Sequence, residues 1–161
     1  MTAKKILLVE GNDDEHVLKS LCGRRGVQRL DEIASLGNVE RLLENFPVRL
    51  KESDVEALGV VIDADVDIAN RWQSLRDRLR KAGYTDAPDN PLPTGTVLHP
   101  PPKTLLPRVG VWIMPDNQTK GMLEDFLRFL VPSDNWLIRH AEASIASIPN
   151  EHQLFSPLMK P

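Results

Sequence analysis

Apolar residues fall along this chain in two ways, as short unbroken runs and as stripes at helical spacing, and the two alternate. Ile6, Leu7, Leu8 and Val9 follow one another after Lys5 and are closed off by Glu10-Gly11-Asn12-Asp13. A solid run this short predicts a strand buried on both faces. Asn12, with Glu15 three residues on, predicts the capped start of a helix. Val17, Leu18, Leu21 and Cys22 form its apolar face, and it is expected to end near Gly23, with Arg24 and Arg25 suited to its C-terminal dipole. A weaker strand is expected around Leu30 to Ala34. Asn38 then predicts the cap of a helix that carries Val39, Leu42, Leu43 and Phe46 and is stopped by Pro47.

Ala57 to Ile62 is the clearest buried strand, and it runs into Asp63-Ala64-Asp65-Val66-Asp67. A basic helix follows, with Ile68, Trp72, Leu75 and Leu79 on its core face. Strands alternating with helices of this length imply crossover connections and a parallel sheet, hence an α/β fold. The character changes from Ala87 to Pro107, a stretch that holds over half of the thirteen prolines. It reads as an extended insertion with a short strand at Thr96 to His99. Val109 to Met114 predicts a further strand ending at Pro115-Asp116, followed by a helix with Leu123, Phe126, Leu127 and Leu130 on one face. A last amphipathic segment uses Trp136, Leu137, His140, Ala141, Ser144, Ile145 and Ile148.

There is no internal repeat, and 161 residues suit a single domain. Its core is expected over about 4–130, with the insertion at 87–107 and a helical extension over about 133–161. Ser156 to Pro161 carries no closing pattern, which leaves room for the natural protein to continue.

Composition narrows the function classes. No apolar run approaches the roughly 20 residues of a membrane span, and the N-terminus lacks the pattern of a secretory signal. Cys22 is the only cysteine, so neither an internal disulfide nor a cysteine-held zinc is available, and a reducing cytoplasm is the expected compartment. A net charge of −3 argues against a general electrostatic affinity for nucleic acid. It leaves open an acidic site that meets phosphates through a divalent metal.

Such a site has candidates. Ligands of an open parallel sheet bind beyond the carboxyl ends of its strands. Three predicted strands end there in acids: Glu10, then Asp63 and Asp65, then Asp116. Two carboxylates about 4 Å apart repel by roughly 4 kcal/mol at an effective dielectric near 20. A proton or a cation must relieve that, and Mg²⁺ or Mn²⁺ suits hard oxygen ligands. Blander readings compete at several positions. Asp13 and Asp14 suit the first turn of a helix, as do Glu124 and Asp125, and Asp67 suits a cap. Arg71, Arg76, Arg78, Arg80 and Lys81 read as a solvated face rather than a phosphate track. The four histidines show no metal-ligand spacing, and Trp112 and Trp136 read as core. Glu10, Asp63 and Asp65 are harder to explain as turn residues, because Gly, Asn or Ser would serve there at less cost.

Ile-Leu-Leu-Val-Glu10-Gly11 with an acid at Asp14, and later Val-Val-Ile-Asp63-Ala-Asp65, resemble the two signatures of the Toprim domain. That domain is shared by topoisomerases, primases and OLD-family nucleases. The stretch Val-Trp-Ile-Met-Pro-Asp116, then Gly121-Met-Leu-Glu124-Asp125, resembles an uncharacterised bacterial Toprim-like family related to the OLD nucleases. The resemblance covers about residues 5 to 130. It implies a Rossmann-like three-layer fold, with a mainly parallel central sheet and helices on both faces. It also implies Mg²⁺- or Mn²⁺-dependent phosphodiester chemistry on DNA or RNA. Glu10 would be the general acid or base, or a further ligand, and Asp63, Asp65, Asp14 and Glu124 the metal ligands. Asp67, Asp116 and Lys120 are accessory candidates, although Lys120 comes earlier than the family's late lysine. Two other readings stand beside the enzyme. One is a non-catalytic Toprim module that binds metal or nucleic acid in a larger assembly, with a partner protein or a second copy. The other is a phosphoacceptor receiver domain, disfavoured because Gly11 stands where receivers carry a second acid.

Overall fold

The computed structural model describes residues 3–27 and 30–152, so the closing segment Ser156 to Pro161 lies outside the described residues. Six elements follow the predicted alternation: β1 (Lys4–Val9), α1 (Asn12–Arg25), β2 (Glu32–Ser35), α2 (Val39–Arg49), β3 (Val55–Asp63) and α3 (Ile68–Ala82). After the proline-rich segment come β4 (Thr96–Leu98), β5 (Arg108–Met114), α4 (Leu123–Phe129) and α5 (Trp136–Ala146). The five strands form one sheet in the order β2-β1-β3-β5-β4. Four are parallel, and β4 alone runs antiparallel, against β5 at the edge. The fold is therefore α/β with a mainly parallel sheet.

The solid apolar runs are explained by burial on both faces. Ile6 and Leu8 of β1, Leu58, Val60 and Ile62 of β3, and Val109, Val111 and Ile113 of β5 point to one side. There they meet Leu42 and Phe46 of α2 and Trp72, Leu75 and Leu79 of α3. The alternate residues Val9, Val61 and Met114 face the other way, against Val17 and Leu18 of α1 and Leu123, Phe126 and Leu127 of α4. Helices thus cover both faces and make three layers, as strict alternation along a strand requires.

Two helix boundaries differ from expectation for identifiable reasons. α1 runs on to Arg25 and closes on Gly26, whose φ of 61° is the left-handed conformation that glycine adopts freely. α2 continues through Pro47 to Arg49. Proline at 47 has no N–H to give the carbonyl of Leu43, four residues earlier. Arg78 of α3 supplies the missing donor, its Nε lying 2.8 Å from that carbonyl oxygen.

The arginines of α3 are not a plain solvated face. Arg76 and Arg80 bond to Asp89, and Arg80 also reaches the carbonyl of Ala87, so the helix straps down the start of the proline-rich segment. The indole N–H of Trp72 donates to the carbonyls of Pro88 and Asp89, each at 3.1 Å. Buried Tyr84 holds the far end through its hydroxyl, which donates to the carbonyl of Pro107.

The chain divides into two units, 1–127 and 128–161. The sheet lies in the first. In the second, Asn135 caps α5 through the N–H of Leu137, and Arg128 pairs with Glu142. α5 has no buried residue, and Trp136, expected in the core, is 66% exposed. His140, on the same helix, is exposed beside the Trp136 ring rather than packed. Among the described residues, no helix is long and apolar enough to cross a membrane.

Candidate functional site

Parallel pairing decides which acids can meet. Val9 of β1 is in register with Val61 of β3, so Glu10 just beyond β1 and Asp63 at the end of β3 emerge from the same sheet edge. Glu10 Oε1 accepts the backbone N–H of Asp63 at 2.8 Å. On the far side of β3, Asp63 pairs with Met114, the last residue of β5. The edge is thus formed where three parallel strands stop.

Asp14 joins it from α1. Gly11, not Asn12, is the N-cap, and Asp14 rather than Glu15 reaches back, accepting the N–H of Gly11 at 2.9 Å. Glu15 instead pairs with Lys19 one turn on. A Cβ at position 11 would stand 3.3 Å from Asp14 Oδ2, so glycine leaves this carboxylate room to approach the backbone. Asp14 is only 8% exposed, an unusual burial for an acid.

Asp65 lies just beyond β3 with φ of 52°, in the left-handed region. Its N–H and carbonyl exchange hydrogen bonds with Gly121, both at 2.8 Å, which joins the loop after β3 to the loop after β5. Its carboxylate is ion-paired with Arg71 of α3. Glu124 is exposed in the first turn of α4, next to Asp125, whose Oδ2 accepts the N–H of Met122.

The electrostatics link these five acids. Burial pushes the Asp63 carboxyl up to about 7, and the charges of Glu10, Asp14, Asp65 and Glu124 push the same way. Burial also raises Glu10; the Asp63 N–H and the Arg71 charge oppose it, while Asp65 and Asp14 add to it. Asp14 is raised mainly by burial, against the N–H of Gly11 and with Glu124 and Asp13. Asp63 Oδ1 is buried without a hydrogen-bond partner. Leaving a carboxylate oxygen in that condition costs free energy, which a proton or cation would recover.

The accessory candidates stand apart. Asp67 caps α3, accepting the N–H of Asn70 at 3.0 Å. Asp116 is consumed by its own turn, taking the N–H groups of Gln118 and Thr119 and the Thr119 hydroxyl. Burial pushes its carboxyl up, but those donors outweigh it and hold it below the usual carboxylate range. Lys120 is exposed on the same loop. Among the described residues, no three His, Cys, Asp or Glu side chains are gathered as a ready-made metal cage.

Two neighbours were not singled out from the sequence. Arg71 looked like any helical arginine, and nothing in its spacing points to Asp65. Asn117 is buried with φ of 62°; its Oδ1 accepts the N–H of Ile113 at 2.7 Å and its Nδ2 has no partner. An asparagine in the turn after a predicted strand was the available signal, since asparagine tolerates that conformation.

One family model, described as a protein of unknown function (DUF3226), matches residues 4–161. No curated protein and no solved structure matches the chain.

Proposed function

We propose that this chain, which belongs to the DUF3226 family, is a Toprim-type phosphodiesterase that uses Mg²⁺ or Mn²⁺ to cleave DNA or RNA. The observation that carries this reading is Asp63, a strand-end carboxylate with a buried unpartnered oxygen, pressed by the charges of Glu10, Asp14, Asp65 and Glu124. Such a group calls for a positive charge, and oxygen-only donors favour a hard divalent cation. The donor chemistry therefore suits such a cation, while the side chains are not gathered into a cage among the described residues. Asp63 and Asp65 would hold it, with Asp14 and Glu124 as further ligands.

When bound, the metal would supply charge for the attacking and leaving oxygens of a displacement at phosphorus. The chain's own residues do the rest. Glu10 has Oε1 engaged by the Asp63 N–H, which fixes the carboxylate and leaves Oε2 to take or give a proton. Burial raises its pKa, the direction that suits a proton-transfer role. The Asp65–Gly121 hydrogen bonds hold the loop that presents Asp65.

Cleavage of single- and double-stranded DNA and RNA with Mn²⁺, with EDTA and Glu10→Gln as controls, tests the proposal. EDTA-sensitive cleavage that Glu10→Gln abolishes is the expected result. Metal binding without cleavage of any substrate would assign the site to a binding module instead. Stable phosphorylation of Asp63 by a small phosphodonor would assign it to a receiver.

A further inference from the structure

The charge of Arg71 falls within the acidic edge rather than on the solvated side of α3. Its guanidinium is ion-paired with the Asp65 carboxylate, and its side chain is only 23% exposed. It also acts on Glu10, opposing the upward push of burial on that carboxyl. Arg71 sits one turn into α3, its N–H bonded to the carbonyl of Asp67, the residue that caps the helix. The guanidinium is therefore carried on a fixed backbone, while Asp65 is held by its own backbone bonds to Gly121. The backbones of both partners are held, so the pair is made from fixed positions on the loop and the helix.

A cation already rests, then, on one of the two carboxylates assigned to the metal. We propose that Arg71 is the resident counter-ion of this site: a divalent cation takes Asp65 by displacing the guanidinium, which then holds a phosphate oxygen of the substrate. The inference rests on the metal-dependent reading given above and adds the group that recognises phosphate. Two positive charges cannot share one carboxylate without repulsion, so Arg71 weakens metal binding in the absence of substrate. A planar guanidinium released from a carboxylate matches a phosphate equally well, because both present paired oxygens. Metal and phosphate then favour one another at the site, each lowering the cost of binding the other.

Arg71→Gln and Arg71→Lys separate this role from a structural one. Calorimetry with Mn²⁺ alone should show Arg71→Gln binding about tenfold tighter than wild type, while its melting temperature in EDTA is lower. Arg71→Lys, which keeps the charge, should bind Mn²⁺ as wild type does. A merely structural arginine predicts the opposite, weaker Mn²⁺ binding along with lower stability. Folded Arg71→Gln that binds Mn²⁺ no more tightly than wild type overturns the counter-ion role. In the presence of Mn²⁺, a short single-stranded oligonucleotide should bind wild type at least tenfold more tightly than Arg71→Gln, with Arg71→Lys between the two. Equal binding by all three overturns the phosphate contact. Absence of Mn²⁺ binding from wild type overturns the metal-site reading itself and this inference with it. Binding by wild type with no gain in Arg71→Gln overturns this inference alone.

Discussion

Glu10 and Asp63 are joined through a backbone hydrogen bond, the carboxylate at the end of β1 accepting the N–H of the residue that closes β3 at 2.8 Å. The contact uses the shape of the Glu10 side chain and not its charge, because an amide oxygen accepts the same bond. Glu10→Gln should therefore keep the fold, with a melting temperature equal to or above that of wild type without metal. Nucleic-acid cleavage should fall about 10²-fold or more if Glu10 moves the proton. Circular dichroism and cleavage measured on one preparation check both halves.

Asp63 makes stability depend on pH in the direction opposite to an ordinary salt-bridged acid. Its carboxyl rises from 3.8 in the unfolded chain to about 7 in the folded one, so the folded state holds the proton more firmly. The stabilisation is fully present below about pH 4 and is lost as pH climbs through 7. After allowance for solvent screening at a half-buried group, the loss is on the order of 1–2 kcal/mol. Thermal melts in EDTA between pH 4.5 and 8 should show wild type losing this increment relative to Asp63→Asn. Added Mg²⁺ or Mn²⁺ should restore it at pH 8.

Arg78 and Pro47 should prove energetically coupled. Arg78→Ala leaves the Leu43 carbonyl without its donor and should cost about 1–3 kcal/mol. In a Pro47→Ala background the helix regains its own N–H at position 47, and the same substitution should cost less. A double-mutant cycle in urea measures the difference. Additive effects would show that the carbonyl does not need Arg78.

Tyr84→Phe removes the hydroxyl that donates to Pro107 and leaves a buried carbonyl short of a partner. The expected loss is about 1–2 kcal/mol in chemical denaturation. Burial pushes the Tyr84 phenol up to about 12, so wild type should show no tyrosinate absorbance from this ring at pH 10.5 while folded.

The sequence was readable where one local rule acted alone. β1, β3 and β5 announced themselves because strands covered on both faces are apolar at every position, and Asp63 was visible because an acid directly after such a run has no cheap structural excuse. Rules failed where a distant residue overrode them. Pro47 signals a helix stop, yet α2 continues because Arg78, 35 residues beyond the Leu43 carbonyl, provides the lost donor. Asn12 and Glu15 fit a capping box, but Gly11 and Asp14 form the cap one position earlier, since glycine lets the acid come close. Asp116 follows β5 at the same edge where Asp63 closes β3, and only the structure shows its carboxylate folded into its own turn. Trp136 sits on a helix with an apolar stripe, and periodicity alone cannot say what that stripe faces.

The reciprocal hydrogen bonds between Asp65 and Gly121 have a practical consequence for anyone redesigning this edge. Loops 64–67 and 115–122 form one graft, not two. Lengthening either alone would pull the shared bonds apart, so the two are to be replaced as a pair, with the glycine that stands at φ of 140° included.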